Sequence, residues 1–258
     1  MKSIIITGAS SGIGAALALQ YAKAGVRLGL VARNAVALGN VAQQCQEKGA
    51  QTVIGVIDVR DRDQLVKWII DFDNQYAVDT LIANAGVASM LGENGEPEAW
   101  DAIRNVIDTN VYGVIASIEA LITPMRQRQK GCIVIISSLA AYRGLPLTPS
   151  YCASKAAVKS YGEALRGWLR ADGVQVNVVC PGFVESDMSR QFPAKKPLLM
   201  TSEKAARIIA KGVVRNEACI AFPFPLSFGS WLLSVIPAAL ADFILSWFGY
   251  GAKGKLRQ

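Results

Sequence analysis

A chain of 258 residues with 52% hydrophobic and 18% charged side chains holds ample material for one α/β domain, so disorder is not expected. It contains no histidine, which removes histidine-based triads and histidine metal sites, and no metal site is expected. The formal net charge is +7, but Lys and Arg are scattered rather than blocked, which suits an anionic cofactor and argues against nucleic acid.

The N-terminal run SIIIT, 3–7, is too short for a signal peptide's apolar region and reads as a strand. Further apolar runs at 27–32, 52–57, 79–83, 132–137, 174–180 and 218–222 predict strands. Helical patterns fall between them at 13–25, 35–48, 61–75, 97–128, 151–170 and 202–214. Strands without polar alternation are buried on both faces, and strand–helix repetition makes the sheet parallel. The expected fold is therefore α/β: a doubly wound parallel sheet of about seven strands with helices on both faces, 1–258 forming one domain. Residues 183–200 carry two prolines and several charges and read as a substrate lid loop, while 223–250 form an apolar C-terminal extension. Cys45, Cys132, Cys152, Cys180 and Cys219 form no C-x-x-C pair and read as reduced, mostly buried thiols of a cytoplasmic protein.

The first strand runs into TGASSGIG, 7–14. Gly8, Gly12 and Gly14 let the backbone turn and approach a pyrophosphate, and the next helix aims its free N–H groups at it. The second strand ends in VARN, where an acid would select a free ribose 2′-hydroxyl and an arginine a 2′-phosphate. Arg33 stands there with no acid beside it, so NADP is favoured over NAD, Ser10 of the glycine loop helping to hold the phosphate.

Tyr151 and Lys155 lie one helical turn apart. An ammonium beside a phenol lowers its pKa toward a range useful in acid–base chemistry. The alternative is a helix start with Ser150 as cap, Tyr151 packed inward and Lys155 in solvent. Ser138, just past the fifth strand, can polarise a carbonyl.

Together TGASSGIG, ANAG at 83–86, Asn110, ISS at 136–138, Tyr151-x-x-x-Lys155 and PGFVES at 181–186 resemble the short-chain dehydrogenase/reductase family, in order and at family-like spacing over 1 to about 215. The resemblance implies a Rossmann-like, NADP-preferring oxidoreductase that moves hydride between NADP(H) and a carbonyl or secondary alcohol. It implies Asn110, Ser138, Tyr151 and Lys155 as catalytic residues, Tyr151 as general acid/base and Asn110 holding a water that relays protons to Lys155. For the cofactor it implies Gly8, Ser10, Ser11, Gly12, Ile13, Gly14 and Arg33, then Asp58 on the adenine with Val59 beside it. It adds Asn84, Ala85 and Gly86 at the fourth strand end, Tyr151 and Lys155 at the nicotinamide ribose, and Pro181, Gly182, Val184 (through its backbone) and Ser186 (through its hydroxyl) at the nicotinamide. The chain departs from the family's Asn-Asn-Ala-Gly by having Ala83 first.

A catalytically silent cofactor-binding sensor or scaffold is the alternative from another class, and the intact Ser-Tyr-Lys set argues against it. An epimerase or dehydratase would usually be longer and carry G-x-x-G-x-x-G, which is absent. Phe183, Phe192, Leu198, Leu199 and Met200 in the lid point to an apolar substrate. The resemblance also implies a homo-oligomer. At the C-terminus, residues 218–241 lack charge, but Pro223, Pro225, Gly229 and Pro237 argue against a membrane span. An amphipathic stripe runs from Phe228 to Phe248, followed by Lys253, Lys255 and Arg257. Two readings stand for 226–257: packing over the pocket or a second subunit, and peripheral membrane contact.

Overall fold

Ile4 and Ile6 face one side of β1 (Lys2–Thr7) and Ile5 the other, and all three are fully buried. A computed structural model describes residues 1–92, 94–247 and 250. The remaining elements are α1 (Gly12–Tyr21), β2 (Val26–Ala32), α2 (Ala35–Glu47), β3 (Gln51–Val56), α3 (Arg62–Tyr76), β4 (Thr80–Ala83) and α4 (Trp100–Ile107). Next come α5 (Gly113–Gln127), β5 (Gly131–Ile136), α6 (Pro149–Leu169), β6 (Val174–Pro181) and α7 (Asp187–Gln191). The chain continues through α8 (Ser202–Val214), β7 (Cys219–Phe222), α9 (Leu226–Val235) and α10 (Ala238–Trp247).

Seven parallel strands form one sheet in the order β3-β2-β1-β4-β5-β6-β7. The order reverses between β1 and β4, so a crevice opens beyond their C-terminal ends, where doubly wound sheets bind ligands. On one face Ile4 and Ile6 share a cluster with Leu17 of α1, Leu38 of α2 and Ile209 of α8. On the other, Ile5 packs with Ile69 of α3, Leu121 of α5 and Val158 of α6. Buried Asp73 accepts from both Nη atoms of Arg128 at 2.8 Å and from Val78 N at 2.8 Å, which ties the end of α3 to the end of α5.

Three sequence expectations change. The helix expected over 97–128 is α4 and α5 joined by a π-helical turn, Asp108–Tyr112, centred on Asn110. An extra residue per turn widens the helix there, as π-bulges at functional positions do. The third strand is not buried on both faces: β3 is the sheet edge, and Ile54 and Val56 are exposed. The C-terminal stripe is not one amphipathic helix. Pro237 separates α9 from α10, and large apolar side chains project on both sides of the pair. Phe248, Lys253, Lys255 and Arg257 lie outside the described residues. The five cysteines are free thiols, buried except for exposed Cys219.

Among the described residues, one buried side-chain polar atom, Tyr21 Oη, lacks a hydrogen-bond partner. Burial also pushes that phenol up to about 12. Tyr21→Phe removes the orphaned hydroxyl and keeps the ring. It is expected to stabilise the fold by about 1 kcal/mol, or about 2–4 °C in Tm. A lower Tm for the variant in thermal unfolding would show that the hydroxyl has a partner after all.

Candidate active site

The crevice is held open by a knot of hydrogen bonds between the ends of β1 and β4. Thr7 Oγ1 accepts from the N–H groups of Asn84 and Ala85, each at 3.1 Å. Asn84 Nδ2 donates to the carbonyls of Thr7 (2.9 Å) and Gly8 (3.2 Å). Gly8 and Gly12 take the left-handed φ values +67° and +52°, which glycine adopts without strain. Gly14 is needed for a different reason: a Cβ there would stand 2.2 Å from Gly8 O. Ser11 precedes α1 without a side-chain cap, and the first turn of α1 carries no acid. Its N–H groups and positive dipole end are left for an anion. The donor set fits a dinucleotide pyrophosphate.

At the ribose end, Arg33 is exposed, with Nη1 3.8 Å from Asp58 Oδ2. Asp58 is paired within the protein. Arg60 grips it through Nε (3.0 and 3.1 Å) and Nη2 (2.6 Å), and reaches Asn105 Oδ1 at 3.2 Å. The Arg60 hydrogen bonds hold the Asp58 carboxyl below its ordinary range. Nothing in the sequence pattern singled out Arg60, although the run DVRDR placed it within reach.

Ser138 follows β5, lines the crevice, and accepts from Ala140 N at 3.1 Å. Its neighbour Ser137 is buried and donates to Lys155 O at 2.7 Å. The helix bearing Tyr151 and Lys155 starts at Pro149, and Glu98 caps it from a distance. Glu98 accepts from Ser150 N at 3.0 Å and from Ser150 Oγ at 2.6 Å. Lys155 does not reach solvent: it is 4% exposed, and Nζ donates to Ile136 O at 2.9 Å. Nζ also lies 5.7 Å from the Tyr151 ring centroid.

Desolvation works against the expected acidification of Tyr151. Burial pushes its phenol up to about 12, with the nearby Ser138 hydroxyl acting in the opposite direction. Burial likewise pulls Lys155 down to about 8.

Asn110 is fully buried behind this pair. Its Oδ1 accepts from Val87 N at 2.8 Å, and its Nδ2 donates to Val87 O (2.8 Å) and Ser154 Oγ (3.0 Å). Both amide hydrogens are therefore engaged by protein. A Cβ on Gly86 would sit 3.3 Å from Asn110 Oδ1 and 3.4 Å from Lys155 Nζ, so Gly86 fills the space between them.

Pro181 ends β6, and Gly182 N donates to Phe222 O at 2.8 Å. Val184 forms a parallel bridge with Met200, in which Phe183 O and Glu185 N make the hydrogen bonds. The N–H and C=O of Val184 itself therefore point away from Met200. The Ser186 hydroxyl is the N-cap of α7, accepting from Ser189 N at 3.1 Å. It still faces the glycine loop, since a Cβ on Gly12 would lie 3.4 Å from Ser186 Cβ. The lid is thus partly ordered by α7 and the Val184–Met200 bridge.

Every site residue singled out from the sequence lines one cavity of about 1430 Å³, except Gly14 and Asn110, which support it from behind. Beyond Tyr151 its wall is apolar, with Phe183, Phe192, Leu233, Ile236 and Leu245 among its members. The C-terminal helices supply much of this end. Arg143, also on the wall, is paired with Asp242 of α10 at 2.6 Å. That pair was not legible from the sequence.

A sequence profile described as short chain dehydrogenase matches residues 2–197. This chain belongs to the short-chain dehydrogenase/reductase family. It is 35% identical over 242 residues to an uncharacterized oxidoreductase of Myxococcus xanthus, covering 93% of this chain and 95% of the relative. It is 32% identical over 253 residues to the 11-beta-hydroxysteroid dehydrogenase-like 2 protein of Arabidopsis thaliana, with 95% and 81% covered. Among solved structures, a short-chain dehydrogenase from Sphingobium yanoikuyae in complex with NADPH superposes with a TM-score of 0.80 at 25% identity, covering 100% of this chain and 97% of that one. As a short-chain dehydrogenase/reductase the chain is an NAD(P)-dependent oxidoreductase, and its glycine loop is the place to test cofactor binding. Gly14→Ala forces the loop apart at Gly8 O. Overpacking of that kind costs about 1–3 kcal/mol, so NADPH affinity should fall about ten- to a hundredfold. Fluorescence titration checks this, and unchanged affinity refutes the tight-turn argument.

Proposed function

We propose that this short-chain dehydrogenase/reductase interconverts a carbonyl and a secondary alcohol on a bulky apolar substrate, using NADP(H) and Tyr151 as general acid and base. The observation that carries the reading is the placing of Ser138, Tyr151 and Lys155 on one cavity wall, between the glycine loop and an apolar chamber. A pocket for a single drug-sized ligand measures about 300–1,000 Å³. A cavity of about 1430 Å³ therefore suits a dinucleotide and a bulky partner together.

When bound, the nicotinamide supplies or accepts the hydride. Tyr151 Oη donates the proton to the carbonyl oxygen, and Ser138 Oγ polarises that oxygen and fixes its position. Lys155 holds the nicotinamide ribose and resupplies the tyrosine. With the Asn110 side chain engaged by Val87 and Ser154, its main-chain carbonyl in the π-turn is the group assigned to the relay water. With the Ser186 hydroxyl serving as a helix cap, the Val184 backbone is assigned to the nicotinamide carboxamide. The five free thiols support a reducing, cytoplasmic setting, and the family resemblance supports a homo-oligomer.

The raised phenol pKa sets a direction. Tyr151 is protonated at neutral pH, which is the form carbonyl reduction needs, whereas alcohol oxidation needs the phenolate. Reduction is expected to stay flat across about pH 6–8, while oxidation climbs up to about tenfold per pH unit. Tyr151→Phe should keep NADPH affinity and lower kcat by about 10²–10⁴-fold in both directions. A variant within a few-fold of wild type, assayed on a carbonyl panel, removes Tyr151 from the reaction.

Arg33 is assigned to the 2′-phosphate. No other side chain hydrogen-bonds it among the described residues, and its guanidinium is exposed at the crevice mouth. Arg33→Asp should weaken NADPH about ten- to a hundredfold, the worth of a charge-assisted hydrogen bond, and leave NADH nearly unchanged. Equal kcat/KM for the two cofactors in the wild type would overturn the preference.

A further inference from the structure

The two C-terminal helices have two working sides. Inward, Leu226, Leu233, Ile236, Ile244 and Leu245 line the cavity. Outward, Phe224, Phe228, Trp231, Val235, Phe243 and Trp247 are exposed by 47–80% and line no part of it. Soluble surfaces rarely gather so many large apolar side chains, and such a patch marks an interaction site.

The chemistry of the patch selects its occupant. Phe228 and Trp231, whose rings lie 5.7 Å apart, stand on one helix of ten residues, and Phe243 and Trp247 are exposed on the other. Spanning a bilayer takes about 20 residues, so neither helix can cross one, and Pro237 prevents their fusion. Ser234 Oγ donates to Trp231 O at 2.6 Å and Ser246 Oγ to Phe243 O at 3.2 Å, so these hydroxyls are satisfied within their own helices and do not need water. The acid on α10, Asp242, is neutralised by Arg143. In the sequence, Lys253, Lys255 and Arg257 follow at once and no acid accompanies them. A protein–protein interface usually carries a mixed polar rim. Exposed aromatics followed in the sequence by three cations and no acid complement an anionic lipid surface instead.

We propose that the outer face of α9 and α10 docks on an anionic bilayer, so that the chamber behind it opens to substrate dissolved in the lipid. The docking surface stands on its own observations, and only the delivery of substrate rests on the proposed apolar substrate class. One long apolar stretch elsewhere, Trp100–Gln127, has the length and composition of a span, but more than half of it is buried and it packs on α3 and α6. It is part of the fold's interior and offers no competing membrane surface.

The test is flotation of the full-length protein, loaded with NADPH, with vesicles of phosphatidylcholine alone and of phosphatidylcholine mixed with phosphatidylglycerol. The wild type should float with the anionic vesicles and be released by high salt or carbonate without detergent. A quadruple variant, Phe228→Ser, Trp231→Ser, Phe243→Ser and Trp247→Ser, should lose vesicle affinity by more than about tenfold. Its NADPH titration and turnover of a water-soluble aromatic ketone should match the wild type. Should that variant misfold, Lys253→Gln with Lys255→Gln and Arg257→Gln leaves the helices intact and should lower affinity for anionic vesicles by roughly tenfold. Three results overturn the proposal: a wild type that floats with neither vesicle, neutralised-tail and serine variants that bind like the wild type, or serine substitutions that only reduce oligomer size in lipid-free sedimentation. The last would assign the face to a second copy of the chain. Vesicle binding without turnover of any carbonyl would instead remove the oxidoreductase reading of the pocket and leave the docking surface standing.

Discussion

The structure depends on the hydrogen bonds that fasten the end of β1 to the end of β4. A parallel sheet whose strand order reverses must send the neighbouring loops to opposite faces at the reversal, leaving backbone groups of both strand ends without ladder partners. Here Thr7 and Asn84 supply those partners from side chains, four bonds between 2.9 and 3.2 Å. The Asn84 amide that donates to Gly8 O also fills the space beside Gly14, where a Cβ would lie 2.6 Å from Nδ2. One asparagine therefore closes the sheet, sets the height of the glycine turn and leaves the α1 N-terminus open to the crevice. Ala83, standing where the family usually has the first Asn of an Asn-Asn pair, leaves this bonding intact, because it is fully buried in β4 and the bonds fall to Asn84.

What the sequence displays well is what short range decides. Three adjacent isoleucines need two apolar faces, and TGASSGIG needs a strand before it and a helix after it. Both requirements can be read without knowing any partner. Strand existence was legible for the same reason. The edge position of β3 was less so, since Ile54 and Val56 look like core until the sheet order leaves one flank open. The choice of partner over long range was not legible. Glu98 caps α6 from 52 residues away, and Arg143 reaches 99 residues to Asp242. Each is a polar residue among many, and periodicity carries no information about which pair will meet.

The C-terminal segment shows both limits together. Prolines forbid a span, and the structure agrees by dividing the segment at Pro237. The single stripe read from the spacing treated one side as core and the other as solvent. In the fold, Gly182 is pressed by Leu226 and Pro223, each 3.1 Å from where its Cβ would be, so the extension closes the site beside the end of β6. Helices that complete a pocket wall from outside the sheet present apolar groups to the chamber and to their own exterior. That arrangement has no one-sided periodicity to detect. Tyr250 carries the same logic into the lid, donating to Lys195 O at 2.9 Å while its ring lies 6.2 Å from Phe192.

The site's electrostatics follow from burial more than from the four-residue spacing of Tyr151 and Lys155. Burial at the crevice wall removes water from a phenol and an ammonium at once. The removal drives the two pKa values apart, to about 12 and about 8, and each group is pushed toward its neutral form. A lysine near 8 is sensitive to any charge placed beside it, because small changes in potential then alter its protonation at neutral pH. The Ile136 carbonyl, the filled space at Gly86 and the engaged amide of Asn110 hold that lysine in one position. A fixed, desolvated pair is therefore poised for a ligand's charge to complete it. The spacing supplies the pair, and the walls decide how it titrates.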